Sequence, residues 1–326
     1  MSGRCHHHRV DRRAWILIAL LASLWGASYL FIKLGLEDLS PAMVVFLRTL
    51  LAAAVLAPLA LRRRAFAGLR ELFWPVVLLA AVQVAGPFLL ISWGEEEISS
   101  SLAGILVASA PILTALLATF VDHEERPTLV GAVGIVIGIV GVAVLLGVDV
   151  GGDSAALVGG LAVVLASLGY AIGGFFVKSR FRQIQPIGLV TATMLTSAVL
   201  ALPLALATFP SEVPGAGALA AMAALGAGGT GIAFVIFYTL IADVGPARAS
   251  VVAYVAPVFA LFYGVAFLSE AFTAATVLGM VLILGGSWIA GQGQLPSRAR
   301  PGRVSPADPA ADRARPAHPP VPAGGA

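Results

Sequence analysis

The chain reads as an all-α polytopic membrane protein of ten transmembrane helices, arranged as two inverted five-helix repeats. Three observations point there. Hydrophobic residues fill 59% of the 326 positions and charged residues only 11%, with a mean hydropathy of +0.95, whereas soluble domains carry about a quarter charged residues. Apolar runs of roughly 20 residues, enough to cross a hydrocarbon core of about 30 Å, recur along the chain. One long pattern also occurs twice. From Ser101 an apolar run reaches Pro111, stops at Asp122-His123-Glu124-Glu125-Arg126-Pro127 and resumes with Gly131, Gly134, Gly138 and Gly141. From Ala247 a second run reaches Pro257, stops at Ser269-Glu270 and resumes with Gly279, Gly285 and Gly286. Proline to glutamate is 14 positions in the first copy and 13 in the second, and glutamate to glycine is 9 in both. That spacing marks an internal duplication with one loop indel.

Residues 1–13 form a polar, basic leader that holds the single cysteine, Cys5, beside His6, His7 and His8. One cysteine excludes an internal disulfide or a thiolate metal cage, and the histidine run reads as part of the leader, so no metal site is expected. The spans follow at 14–33, 41–60, 73–93, 99–121, 128–147, 155–178, 186–208, 216–241, 247–268 and 272–291. The first crosses a whole bilayer, lacks a small-x-small cleavage site and precedes further spans, so it reads as a retained helix rather than a signal peptide. The first repeat takes residues 14–147, a linker 148–154 and the second repeat 155–291. Residues 292–326, rich in Pro, Ala, Gly and Arg without apolar periodicity, read as a disordered tail.

Charge sets the orientation. With the N-terminus in the cytoplasm, 18 of the 20 basic residues fall on the inside, including Arg62, Arg63, Arg64, Arg126, Lys178, Arg180 and Arg248. Only Lys33 falls outside, and Arg48 lies within a span. The positive-inside rule therefore places both termini in the cytoplasm. The net charge of +3 comes from these loop and tail arginines and implies no nucleic-acid partner. A shift of 145 residues puts Trp25 on Tyr170, Pro41 on Pro186 and Lys33 on Lys178, the only two lysines in the chain. Five spans per half is an odd number, so the halves enter the membrane with opposite topology, as in transporters that expose one site alternately to each side.

Trp25-Gly26-x-x-Tyr29-x-x-x-Lys33, the stretch from Trp93-Gly94-Glu95 to Pro111, Glu125, and the run from Gly245 through Pro257 to Glu270 resemble the EamA family of the drug/metabolite transporter superfamily. The resemblance covers about residues 14 to 291. It implies ten helices with cytoplasmic termini around a central cavity between the halves, in a family whose members mostly move amino acids and other metabolites, often outward.

Several residues could carry that activity. Arg48 lies seven positions beyond Pro41, about 10 Å into its span at helical rise, opposite the neutral Thr193 in the second repeat. A guanidinium there needs acceptors, supplied either by a substrate carboxylate or phosphate or by backbone carbonyls or a carboxylate such as Glu95 in a structural clamp. Trp25, Tyr29, Trp93, Tyr238 and Tyr254, with Tyr263, either line a cavity for an apolar side chain or pack helices and anchor the interface. Pro111 and Pro257 free carbonyls in mid-helix and are hinge candidates or plain kinks. Glu125 and Glu270 are placed at the start of the fifth and tenth helices, where the dipole favours a carboxylate, with a gate as the alternative. Glu95, Glu96 and Glu97 read as a solvated acidic loop where the third span ends. Gly131, Gly134, Gly138 and Gly141 form a close-packing face.

Two patterns mislead. Gly226-x-Gly228-x-x-Gly231 has the letters of a dinucleotide fingerprint but sits in an apolar span with no preceding strand. His123-Glu124-Glu125 lacks the second histidine of a zinc protease. No cofactor is expected. The absence of a carboxylate from the middle of any span argues against cationic drugs as the main cargo and leaves proton coupling open. The function expected is a secondary transporter of small metabolites, an exporter of amino acids or related polar solutes working by alternating access across a bacterial inner membrane. The alternative is a membrane scaffold or an intramembrane enzyme, and oligomeric state is left open.

Overall fold

The computed structural model describes residues 12–121, 127–149 and 151–292, all within the first of two units, Met1–Leu295 and Pro296–Ala326. The leader and tail, with Cys5 and His6 to His8, lie outside the described residues, as does Glu125. Every regular element among the described residues is a helix. Nine are long and apolar enough to cross a membrane: α1 (Arg12–Leu36), α2 (Pro41–Arg62), α3 (Phe73–Glu97), α4 (Ser100–Val121), α5 (Leu129–Val148), α6 (Ser154–Arg180), α7 (Pro186–Ala207), α8 (Ala216–Val244) and α10 (Ala274–Gln292). The span expected at 247–268 is the shorter α9 (Val252–Leu268), 17 residues long, preceded by the single turn Pro246–Ala249. Gly245 separates that turn from α8 with φ +84 and ψ 161, a region closed to residues with a Cβ, and Pro246 then opens the next turn.

The packing has the pseudo-twofold that the repeat requires. Equivalent helices meet across it, α2 against α7 and α5 against α10, while α1 packs on α8 and α9 as α6 packs on α3 and α4. Glycine sets the closest approaches. A Cβ on Gly134 of α5 would lie 2.5 Å from the Ala290 nitrogen and 2.8 Å from the Gly286 carbonyl of α10. The opposite face of α5, with Leu129, Val130, Val133, Val136 and Ile139, is exposed. A surface of that kind is stable against lipid tails and a liability in water.

The helices are also interrupted in matched places. α3 widens to π geometry over Ala80–Ala85 and its repeat equivalent α8 over Ala224–Ile232; such wide turns leave backbone carbonyls for outside partners and recur at functional sites. Ser197 of α7 donates to the Ala80 carbonyl at 3.3 Å. The two prolines behave differently. α4 breaks at Ala108 and Ser109 just ahead of Pro111, whereas α9 runs unbroken through Pro257 and its break falls earlier, at Ser250 and Val251.

Candidate functional site

Arg48 sits where the halves meet. Its side chain is buried, and Nε donates to Thr230 Oγ1 of α8 at 3.0 Å. Thr230 in turn donates to the Leu225 carbonyl, five residues back, at 3.0 Å, so the wide turn of α8 is what presents its hydroxyl. The guanidinium carbon lies 3.6 Å above the Phe88 ring centroid of α3, a cation–π contact worth about 2 kcal/mol when desolvated. Nε is the one guanidinium N–H with a hydrogen-bond partner among the described residues, and no carboxylate there lies within ion-pair distance. Tyr170 of α6 packs on the cluster that includes Phe88. The repeat partner Thr193 is buried and donates to its own helix at Val190 O, so the positive charge belongs to one half only.

The aromatic candidates divide. Trp25 packs on Phe237 and Phe234 of α8 with ring centroids 5.3 and 6.4 Å apart, and Tyr238 stacks on Phe234 at 6.1 Å. Phe234 also packs on the cluster that includes Phe88 and Tyr170, so Trp25 and Tyr238 are linked to that cluster through Phe234. Tyr29 packs in the main core, against Gly104 of α4. Trp93 does not join them. It is 41% exposed and lines a separate apolar groove of about 340 Å³ with Pro41, Leu89, Leu90 and Leu204. Tyr254 points its hydroxyl towards Gly291 of α10, and Tyr263 is tied to Ser23 by a 2.6 Å hydroxyl pair.

The end of the bundle carrying the α3–α4 and α9–α10 connections holds Glu95, Glu96, Glu97 and Glu270. α3 continues through Glu97, so the expected acidic loop is helix; Glu96 and Glu97 are exposed but Glu95 is fully buried. Its neighbour Lys33 of α1 gives its ammonium to the backbone carbonyls of Glu95 and of Ile98, the latter at 3.0 Å, which caps the end of α3. Glu270 does not start α10, which begins at Ala274. Ser269 turns the chain with φ 54, and the Glu270 carboxylate accepts from the backbone N–H groups of Ser100 and Ser101 at 2.6 and 2.9 Å and from the Ser101 hydroxyl. It therefore caps α4, 170 residues away, tying the second half to the first. Beside this tie lies a cavity of about 330 Å³ lined by Glu97, Ser99, Ser101, Asp153, Thr273 and Thr276.

The sequence profile of the EamA-like transporter family matches residues 13–147 and again 157–291. The chain belongs to the EamA-like transporter family. The two EamA matches coincide with the two halves of the bundle, and the protein is a multi-pass membrane transporter, not an enzyme. It is 26% identical over 264 residues to the transporter YoaV of Bacillus subtilis, covering 80% of this chain and 90% of that one. It is 25% identical over 287 residues, 85% of this chain and 93% of the other, to a probable terminal-alkyne amino-acid exporter of Streptantibioticus cattleyicolor. A crystal structure covering 86% of this chain and 97% of its own superposes with a TM-score of 0.63 at 23% identity, a likeness of fold.

Within the EamA fold, three residues near Arg48 escaped the sequence reading in this role, Thr230, Phe88 and Tyr170, whereas Glu95, named there as a clamp for Arg48, is buried without an ion pair to it among the described residues. Thr230 had a signal, as the one hydroxyl inside the glycine run 226–231. Tyr170 had one too, as the repeat equivalent of Trp25, but Phe88 had none, because nothing in an apolar helix distinguishes the aromatic ring that meets a cation. The Glu270 tie carries a direct consequence. Glu270→Ala leaves the first N–H groups of α4 without their acceptor and is expected to lower stability by about 1–2 kcal/mol. Thermal unfolding in detergent measures it, and Glu270→Gln, which keeps an acceptor without the charge, should recover part of the loss.

Proposed function

We propose that the protein exports amino acids or related polar solutes, binding the substrate carboxylate at Arg48 and moving it by alternating access between the repeats 14–147 and 155–291. The observation that carries this reading is the Arg48 guanidinium, buried between the halves on Phe88 with only Nε engaged among the described residues. A buried guanidinium with donors to spare favours a bidentate anion, and a planar carboxylate matches its fork. The aromatic group Trp25, Phe234 and Tyr238, joined through Phe234 to the cluster that holds Phe88, supports a cargo with an apolar side chain. The relative named for terminal-alkyne amino-acid export supports the same cargo class. The distribution of the basic residues supports cytoplasmic termini, and the relative named as an exporter supports the outward direction.

The test is flux in vesicles reconstituted with the purified protein, loaded with pooled radiolabelled amino acids or organic acids. Saturable, protein-dependent efflux of amino acids is the expected result. Efflux restricted to solutes without a carboxylate would sink the reading, and folded protein with no flux for either pool would sink it in favour of another class of solute.

A further inference from the structure

Glu95 is the one carboxyl group among the described residues with both oxygens buried and neither hydrogen-bonded. It lies two residues from the end of α3 and is 0% exposed, sealed where Gly94 meets Gly159 of α6; a Cβ on Gly94 would come within 2.7 Å of the Gly159 carbonyl. The nearest cation, Lys33, does not answer it, because its ammonium is given to the backbone carbonyls of Glu95 and Ile98. The hydroxyls of Ser92 and Ser100 are likewise buried without partners. Charged and titratable groups face Glu95 from each neighbouring element: Lys33 and Tyr29 from α1, Arg48 from α2, Glu270 from the α9–α10 connection, with Glu96 and Glu97 next along α3.

We propose that Glu95 is the proton-binding site that couples substrate transport to a proton gradient. The inference rests on the transport reading above. A carboxylate deprived of both water and donors is costly, and a carboxylic acid far less so; an ionisable group held this way inside a membrane protein is a mark of a relay. The enclosed arrangement suits the acid, and the carboxylate requires water or the Lys33 ammonium. Both can arrive by one movement. The 330 Å³ cavity is lined by Glu97, Ile98, Ser99 and Ser101, the residues that follow Glu95 in the chain. Opening that end by releasing the Glu270 cap from Ser100 and Ser101 admits water to Glu95 and frees Lys33 from the carbonyls of the same turn. The carboxylic acid then gives its proton to that water, and no other covalent bond changes. Because α2 packs against the Gly86–Glu97 part of α3, the charge left on Glu95 by loss of the proton alters the field at Arg48, which links the two events.

The experiment compares the full-length protein with Glu95→Gln, a neutral mimic of similar shape, in vesicles supplied with a mixture of radiolabelled amino acids. Two readouts separate binding from coupling: exchange at equal pH on both sides, and net accumulation under an imposed pH gradient. For the unaltered protein a gradient of one pH unit is expected to support about tenfold accumulation, the limit for one proton per substrate. Glu95→Gln is expected to keep exchange and lose the accumulation. A pH-sensitive dye should also register proton movement when amino acids are added to vesicles of the unaltered protein. Accumulation that survives Glu95→Gln, or loss of exchange in a variant that elutes and unfolds like the parent, overturns the proposal. Should the variant fail to fold, absence of the dye signal with the unaltered protein overturns it, and Glu95→Asp, which keeps the acid on a shorter side chain, is expected to keep accumulation with a shifted pH dependence; an unshifted pH dependence overturns it. Flux indifferent to the gradient sinks this inference alone; no saturable flux at all sinks the transport reading with it.

Discussion

Arg48→Ala is expected to cut transport of carboxylate-bearing substrates on the order of a hundred-fold while the protein still folds. Truncating one partner of a buried, hydrogen-bonded charge pair costs about 2–5 kcal/mol, and each 1.4 kcal/mol is a factor of about ten. The folded protein is expected to survive the change. Removing the guanidinium leaves no orphaned charge, since no carboxylate among the described residues is paired with it, and Thr230 keeps its bond to the Leu225 carbonyl. What disappears is the Nε bond and the contact with Phe88, about 3.5–5 kcal/mol together, offset by release of the cost of burying the guanidinium. Arg48→Lys keeps the charge without the planar fork and should fall between the two. Concentration-dependent flux and thermal unfolding on the same preparations check this. A variant that cannot be recovered folded would identify Arg48 as a structural clamp.

Gly134→Leu is expected to have the largest effect on stability. α5 and α10 touch backbone to backbone there, and the reciprocal site is as tight: a Cβ on Gly286 would lie 2.5 Å from the Gly138 nitrogen and 2.6 Å from the Gly134 carbonyl. The atoms met are main chain, which cannot rotate away. Lipid tails supply no hydrophobic drive to compensate, so association depends on close packing, and a side chain forced between the helices costs about 3 kcal/mol or more. Loss of monodisperse protein in detergent, or a large drop in unfolding temperature, is the expected readout. Gly285→Ala is the control, because a Cβ there meets nothing within 4 Å, and it should behave like the parent. Equal behaviour of Gly134→Leu and the control would mean that the α5–α10 contact is looser than its geometry indicates.

The number of spans, the duplication and the membrane setting were legible in the sequence because a bilayer converts them into local properties. A helix must be about 20 residues long and apolar to cross, and those features need no knowledge of neighbours. Arg48 was legible for the same reason, as a charge at a depth where charges are expensive. Even the small-residue faces of α5 and α10 could be recognised, though not the atoms they would meet. Contacts between remote segments decided the rest. Thr230 reaches Arg48 from 182 residues away, and only the wide turn of α8 aims its hydroxyl there. Trp93 left the candidate site for a peripheral groove, since one step around a helix separates the inward face from the outward one. Glu270 was read as the start of its own helix and proved to cap another, because an N-terminus with free N–H groups accepts any carboxylate the fold delivers. Glu95 was read as solvated from its place in an acidic run, yet α3 continues past it and α6 closes over Gly94. Hydropathy and repeat spacing thus determine which segments enter the membrane, while the backbone approaches that glycine permits decide which side chains are sealed and which face one another.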